Sequence, residues 1–262
     1  MSKKYEQVNE KVKAAAATAS PVIAQPRTLM VALEVEGTAP LIMHNFGQKS
    51  MEQMLRKHMG LSVQREPKVP RQCIEDAMIR NTEGAICIPP VGFKRSMELP
   101  STANKVFKSK PLFRTSIYIQ GGSIPITYEE MIPRVDMVRV HGAPDVRFRP
   151  QFNGWKARMV VDFSEIVNVQ TIVDLLQRGG KGGMGEWRPE KMGSFGTYRV
   201  GRHISDPDEI AEVLRICAPA VKPLVIPDWA MDAEITPELL QDIMHGKAKI
   251  DADEEPEPDS PA

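Results

Sequence analysis

Aromatic residues are scarce in this chain, at 6% of 262 residues, and cysteines number three. Cys73, Cys87 and Cys217 are odd in number and show no metal-ligand spacing. That pattern excludes a disulfide framework and fits inert thiols in a reducing compartment. No apolar run reaches membrane-spanning length, and the opening Met1-Ser-Lys-Lys-Tyr-Glu-Gln lacks the apolar stretch of a signal peptide. A cytoplasmic protein without membrane contact is expected. No Gly-Lys-Ser/Thr phosphate loop occurs, and no glycine fingerprint follows a strand and opens a helix. His44, His58, His141, His203 and His245 have no metal spacing, Asp162 and Glu165 form no recognisable carboxylate pair, and no Ser-His-Asp or Cys-His grouping stands out. These gaps remove the usual metal, cofactor and nucleophile signatures, so no cofactor and no metal is expected.

Net charge is also missing: 34 basic residues balance 34 acidic ones. The balance is uneven along the chain. The last twelve residues hold six acids (Asp251, Asp253, Glu254, Glu255, Glu257 and Asp259) and no Lys or Arg. The remainder carries 34 basic against 28 acidic groups, about +6. A basic body with an acidic, proline-containing tail suits a nucleic-acid binder whose tail competes for the basic groove or recruits a protein partner. The plainer reading of the tail is solubility alone.

Apolar residues make up 42% of the chain, enough for a core, and 22 prolines with 18 glycines indicate many loops and short elements. Residues 1–26 read as an arm. Strand-like runs fall at 27–36, 41–46, 85–88, 136–140, 146–148, 155–163 and 195–200. Residues 112–120 and 123–128 flank Gly121-Gly122 as a hairpin. Helical patterns cover 49–59, 91–99, 169–178 with Asn168 as N-cap, and 208–217. A further helix is expected near 237–245. The order strand, insertion, helix, strands, helix, strand predicts an α+β fold. Its core is an RRM- or ferredoxin-like antiparallel sheet at 27–203, with an insertion at about 47–84. A helical extension at 204–248 and a disordered acidic tail at 249–262 complete the expected organisation. Helices on one face of such a sheet leave the other face open to a ligand strand.

The densest signal lies at 178–199, where seven glycines sit among Arg178, Lys181, Arg188, Lys191 and Arg199, with Trp187, Phe195 and Tyr198. Clustered glycines imply positive φ angles or close backbone approach. Exposed amides, cations and flat rings suit a polyanion that carries bases. The plainer reading is a mobile loop without a ligand. A second motif, Ile88-Pro-Pro-Val-Gly-Phe-Lys94-Arg95, sends a proline turn into a helix start with two cations. Arg147 and Arg149 alternate on one strand-like run, so both face the same side. A row of arginines reads as a phosphate track, or as charge protecting an exposed edge.

The Lys94–Arg95 turn, Gly182-Gly-Met-Gly-Glu-Trp-Arg and Gly193-Ser-Phe-Gly196 resemble the RAMP superfamily, the RRM-like proteins of CRISPR effector complexes. Pro90, Phe93 and the length of the loop depart from that superfamily's pattern. Leu41-Ile-Met-His-Asn-Phe46, Asp145-Val-Arg-Phe-Arg149 and Gly185-Glu-Trp-Arg-Pro-Glu also resemble an uncharacterised family of tailed-phage proteins. The resemblance implies a non-enzymatic protein that coats single-stranded DNA or RNA as an oligomer or filament. The expected contacts are Lys94, Arg95, Arg147, Arg149, Arg178, Lys181, Gly182, Gly183, Gly185, Trp187, Arg188, Lys191 and Arg199. A phage assembly protein is one alternative. An endoribonuclease is another, with His44 in the place where some RAMP nucleases hold a general base.

Overall fold

The computed structural model describes residues 27–61, 63, 67–140 and 143–231. The arm at 1–26, the acidic tail, the helix expected at 237–245, and His141 and His245 lie outside the described residues.

The main sheet grows from β1 (Thr28–Gly37). Its apolar positions alternate, and Val31, Leu33 and Val35 are buried. They pair across β8 (Lys156–Ser164) with Val161, Met159 and Ala157. Residues directly opposite in an antiparallel pair share a face, so this row forms one apolar surface. Two helices cover it. α3 (Pro90–Ala103) brings Phe93 and Met97, one helical turn apart. α5 (Val169–Gly182) brings Ile172, Leu175 and Leu176. Asn168 caps α5 by accepting the Thr171 N–H at 2.8 Å, as the sequence indicates.

β9 (Tyr198–Ile204) flanks β1 on its other side. Beyond β8 lie β4 (Ile117–Ile119) and β5 (Ile124–Thr127), with β3 (Cys87–Ile88) outermost. β1, α3, β4 with β5, β8, α5 and β9 follow the β-α-β-β-α-β chain order. Their antiparallel arrangement in space is that of a ferredoxin-like sheet. The α+β class with an antiparallel sheet core is the architecture found. A second sheet of three strands joins β2 (Leu41–Ile42) to the ribbon β6 (Glu130–Val140) and β7 (Ala143–Asn153). Residues 47–84 hold α1 (Gln48–His58) and α2 (Pro70–Ala77).

Four expectations are corrected. Residues 112–116 are helical, in α4 (Lys110–Ser116), because the Ser109 side chain accepts the Leu112 N–H at 3.3 Å and Pro111 fits the first turn. Gly121-Gly122 is not a hairpin. β4 and β5 pair with β8 in one continuing direction, and a Cβ at Gly121 would strike the Cys217 carbonyl. These glycines let the C-terminal segment lie against the sheet. α5 runs four residues past the expected end at 178, to Gly182. Gly179 packs on the Ser96 backbone and Gly180 on the Tyr198 carbonyl, so both serve close helix packing inside α5. The last strand starts at Tyr198, not at 195.

The second face of the sheet is not open. α6 (Pro207–Cys217) lies across it, burying Val213 and Cys217. Ala32, Val160 and Ile204 are buried on that side. Burial raises the Cys217 thiol pKa to about 11, in keeping with an inert core cysteine. Beside α6 the face is filled by ion pairs. Glu36 holds Arg199 at 2.9 Å and Lys156 at 3.2 Å, and Glu209 pairs with Arg202 and with Arg158.

The packing predicts opposite outcomes for two glycines of α5. Gly180→Ala should lower stability by about 1–3 kcal/mol through overpacking. Gly182→Ala, with open space around its Cβ position, should be neutral or raise stability by up to about 1 kcal/mol. Urea unfolding of both variants checks the contrast.

Candidate nucleic-acid interface

The glycine-rich segment beyond α5 is a folded loop at 183–197. Met184 N–H donates to Gly196 O at 2.9 Å, Phe195 N–H to Trp187 O at 3.0 Å, and Gly193 N–H to Arg188 O at 3.0 Å. The loop docks on the β1–β2 connection through Gly196 N–H to Pro40 O at 2.7 Å and Glu186 N–H to Ile42 O at 3.0 Å. Gly183, Gly185 and Gly196 have positive φ. A Cβ at Gly185 or Gly196 would strike a backbone carbonyl of the protein itself. The glycines at 183, 185, 193 and 196 therefore serve the loop's own packing.

The loop is latched to the ribbon by a buried charge. Asp136 is 7% exposed and Arg149 only 4%. Asp136 accepts from Arg134 at 2.7 Å, from Arg149 at 3.2 Å and from the Trp187 indole at 3.4 Å. Burial pushes the Asp136 carboxyl upward, but the hydrogen bonds from Arg134 and Arg149 outweigh it and hold the pKa below its usual value. Arg149 also reaches Glu186 of the loop at 3.5 Å, and its Nε is buried without a hydrogen-bond partner. Arg134 lies 4.9 Å from the centre of the Phe195 ring.

Arg147 shares the ribbon face with Arg149, as alternation predicts, but the two have different surroundings. Arg147 is partly exposed and bonds Asp145 at 2.9 Å and His44 Nε2 at 2.6 Å. Arg149 is corrected from an exposed phosphate contact to a buried partner of Asp136. His44 helps line a cavity of about 610 Å³ together with Phe46, Lys49, Lys68 and Phe148. Desolvation, then the charges of Arg149 and Arg147, lower its pKa, so the neutral imidazole accepts the Arg147 N–H.

The remaining expected contacts fall in three places. Arg199 is on the far side of the sheet, paired with Glu36. Arg188 folds back onto Glu190 and the Gly185 carbonyl, at 2.8 and 3.0 Å. Lys191 is exposed on the loop, and Trp187 keeps 40% exposure there in a left-handed conformation. Tyr198 is a core ring, edge-on to Phe93 and hydrogen-bonded to Ser96 at 2.5 Å, which removes it as a stacking platform. Lys94, Arg95, Arg178 and Lys181 belong to the helix layer.

There they meet cations the sequence reading passed over. Residues 94–114 hold Lys94, Arg95, Lys105, Lys108, Lys110 and Arg114 against one acid, Glu98. The Arg114 hydrogen bond and the Arg114, Lys110 and Arg95 charges lower the Glu98 pKa, so these three cations lie around it. Lys94 donates to the Arg114 carbonyl at 2.7 Å, and Arg178 of α5 reaches Asn104 at 3.2 Å. Among the described residues no salt bridge closes on Arg95, Lys105, Lys108, Lys110 or Lys181. Three lysines within 105–110 were the available sequence signal. No cluster of three metal-ligating side chains occurs among the described residues, and none of their helices is long and apolar enough to cross a membrane.

No protein-family model matches the chain, and no curated protein matches it. Among solved structures, a chain of the Type III-B Cmr-beta structure bound to cognate target RNA is similar at a TM-score of 0.44 and 10% identity. The alignment covers 77% of this chain and 66% of that one, just under two thirds of its length. A likeness that loose transfers neither fold nor role.

Two outcomes test this geometry. Asp136→Asn leaves Arg149 buried with only the more distant, exposed Glu186 to balance it and should cost about 3–5 kcal/mol, read by urea unfolding. The Asp136 contribution belongs to pH above its unfolded value near 4 and is lost as pH falls through the lower folded value. His44 should titrate below the usual value near 6.5 by proton NMR, and Arg147→Ala should raise its midpoint by removing one of the charges that depress it.

Proposed function

We propose that this protein binds single-stranded nucleic acid by its phosphate backbone, through the helix layer rather than the sheet face. The observation that carries the reading is the surface of α3, α4 and the end of α5. There and on the connection between α3 and α4, Arg95, Lys105, Lys108, Lys110 and Lys181 close no salt bridge among the described residues, and Glu98 is the one acid within residues 94–114. Unneutralised cations in a row release counterions from a phosphate chain, which gives affinity without base reading. The surface runs over two helices and the turn that joins them, an open shape that suits a polymer. Trp187, half-exposed on the adjoining loop, supplies a flat ring for a base. The loop adjoins the helix layer directly, because Met184 Sδ lies 3.9 Å from the Cβ position of Gly92 at the start of α3. Coating of one strand by many copies is the extended form of this reading, in phage single-stranded DNA protection or in holding a guide RNA.

Fluorescence anisotropy with labelled single-stranded DNA and RNA at two salt concentrations tests it. Lys105→Glu/Lys108→Glu/Lys110→Glu should weaken binding by at least about tenfold and flatten the salt dependence by about 2 in log–log slope. Arg199→Ala, on the opposite side of the sheet, should leave affinity unchanged. No binding to either polymer sinks the reading and favours an assembly protein.

A catalytic reading rests on one observation, the Arg147 guanidinium 2.6 Å from His44 Nε2, where burial and the arginines lower the His44 pKa. A neutral base next to a phosphate-binding cation is the pair that attack of a ribose 2′-hydroxyl requires. RNA cleavage that His44→Ala abolishes, with binding retained, would establish it.

A further inference from the structure

The cavity of about 610 Å³ that His44 helps line is built by α1, α2 and β7. It follows the edge of β7 that β2 covers only at Gln151 and Phe152. On that edge Pro150 O accepts the Met43 N–H at 3.2 Å, and Val146 O accepts from Lys68 Nζ at 2.8 Å. Alternation along an antiparallel strand turns the Phe148 N–H and C=O to the same edge.

The lining divides by chemistry. Phe46 and Phe148 supply two aromatic rings, and Phe46 is 46% exposed. Arg147 is fixed at two of its three nitrogens, by Asp145 and His44, and its third makes no hydrogen bond among the described residues. Lys68 also holds Asp145, so one carboxylate serves two cations and leaves them a net positive charge. Lys49 adds a third cation, and Asp76, which accepts from Gln72 at 2.8 Å, a second acid. Asn45 and Gln53 line the cavity too, and their side-chain amides make no hydrogen bond among the described residues.

We propose that this cavity binds one nucleotide unit, its base against Phe46 and Phe148 and its phosphate at Arg147 and Lys68. Aromatic rings stack on any base, and a guanidinium with an unused nitrogen suits a phosphate oxygen. Side-chain amides and a strand-edge N–H and C=O supply the donors and acceptors that a base edge needs. A simple inorganic anion would leave the rings and amides unused, and an apolar ligand would leave the cations facing it. The volume is that of a small-molecule site. The cavity is separate from the helix layer, so the proposal does not rest on strand binding there. A free nucleotide and one unit of a bound strand offer the same chemistry.

Cys73 reports which occurs. It lines the cavity and is partly exposed, whereas Cys87 and Cys217 are buried, with thiol pKa values raised to about 11. The readout is alkylation of Cys73 in the full-length protein, followed by peptide mass spectrometry, with AMP, GMP, CMP and UMP as probes. At about ten times its calorimetric Kd, the best binder should slow alkylation about tenfold. Inorganic phosphate at that concentration should not. Phe46→Ala and Arg147→Gln should each raise the Kd about tenfold, with urea unfolding as the check on folding. Lys105→Glu/Lys108→Glu/Lys110→Glu should keep the AMP effect even where it loses strand binding. Protection by single-stranded DNA or RNA but by no mononucleotide assigns the cavity to a unit of a bound strand. Protection by neither, or equal protection by inorganic phosphate, overturns the proposal.

Discussion

The buried Asp136 carboxylate is the interaction on which the functional half of this molecule depends. It sits on β6, accepts from two arginines of the ribbon, and takes the indole N–H of Trp187 from the loop. A buried pair of this kind adds little net stability over an apolar substitute, because desolvation offsets most of the attraction. Its effect is positional. With Asp136 charged, Arg149 is held inside, Glu186 is drawn to the ribbon, and the loop at 183–197 has one docked arrangement.

That latch decides which cations are available. Arg149 and Arg134 serve Asp136, Arg147 serves Asp145 and His44, and Arg188 folds back on its own loop. On the far face of the sheet, Lys156, Arg158, Arg199 and Arg202 answer Glu34, Glu36 and Glu209. Most of these pairs are at least partly exposed and individually weak, yet together they neutralise the ribbon and the far face of the sheet. Among the described residues, the helix layer keeps several cations facing one acid. α6 reinforces that asymmetry by lying across the face that an RRM-like sheet would otherwise present to a ligand.

Alternation and helical spacing in the sequence carried much of the core. Val31, Leu33 and Val35, the stripe of Ile172, Leu175 and Leu176, and the Asn168 cap were legible because period and cap chemistry are local. The α+β class with an antiparallel sheet core followed from element order. Ser109-Lys-Pro was an equally local signal for α4, hidden by the apolar run that follows it.

The glycine contacts and the long-range ion pairs were not local, and only the tertiary structure decided them. Glycine spacing in the sequence says that backbone must come near something. It does not say that Gly179 and Gly180 meet Ser96 and Tyr198 rather than a phosphate. Strand alternation puts Arg147 and Arg149 on one face, but their fates diverge: Arg149 takes the Asp136 carboxylate, although Arg147 stands directly opposite it, and Arg147 bonds Asp145 and His44. Composition determined that this chain folds with a basic body and an acidic end. Contacts as near as two positions and as far as 168 determined which of its cations remain to meet a partner, since a charge is silenced only by a neighbour in space.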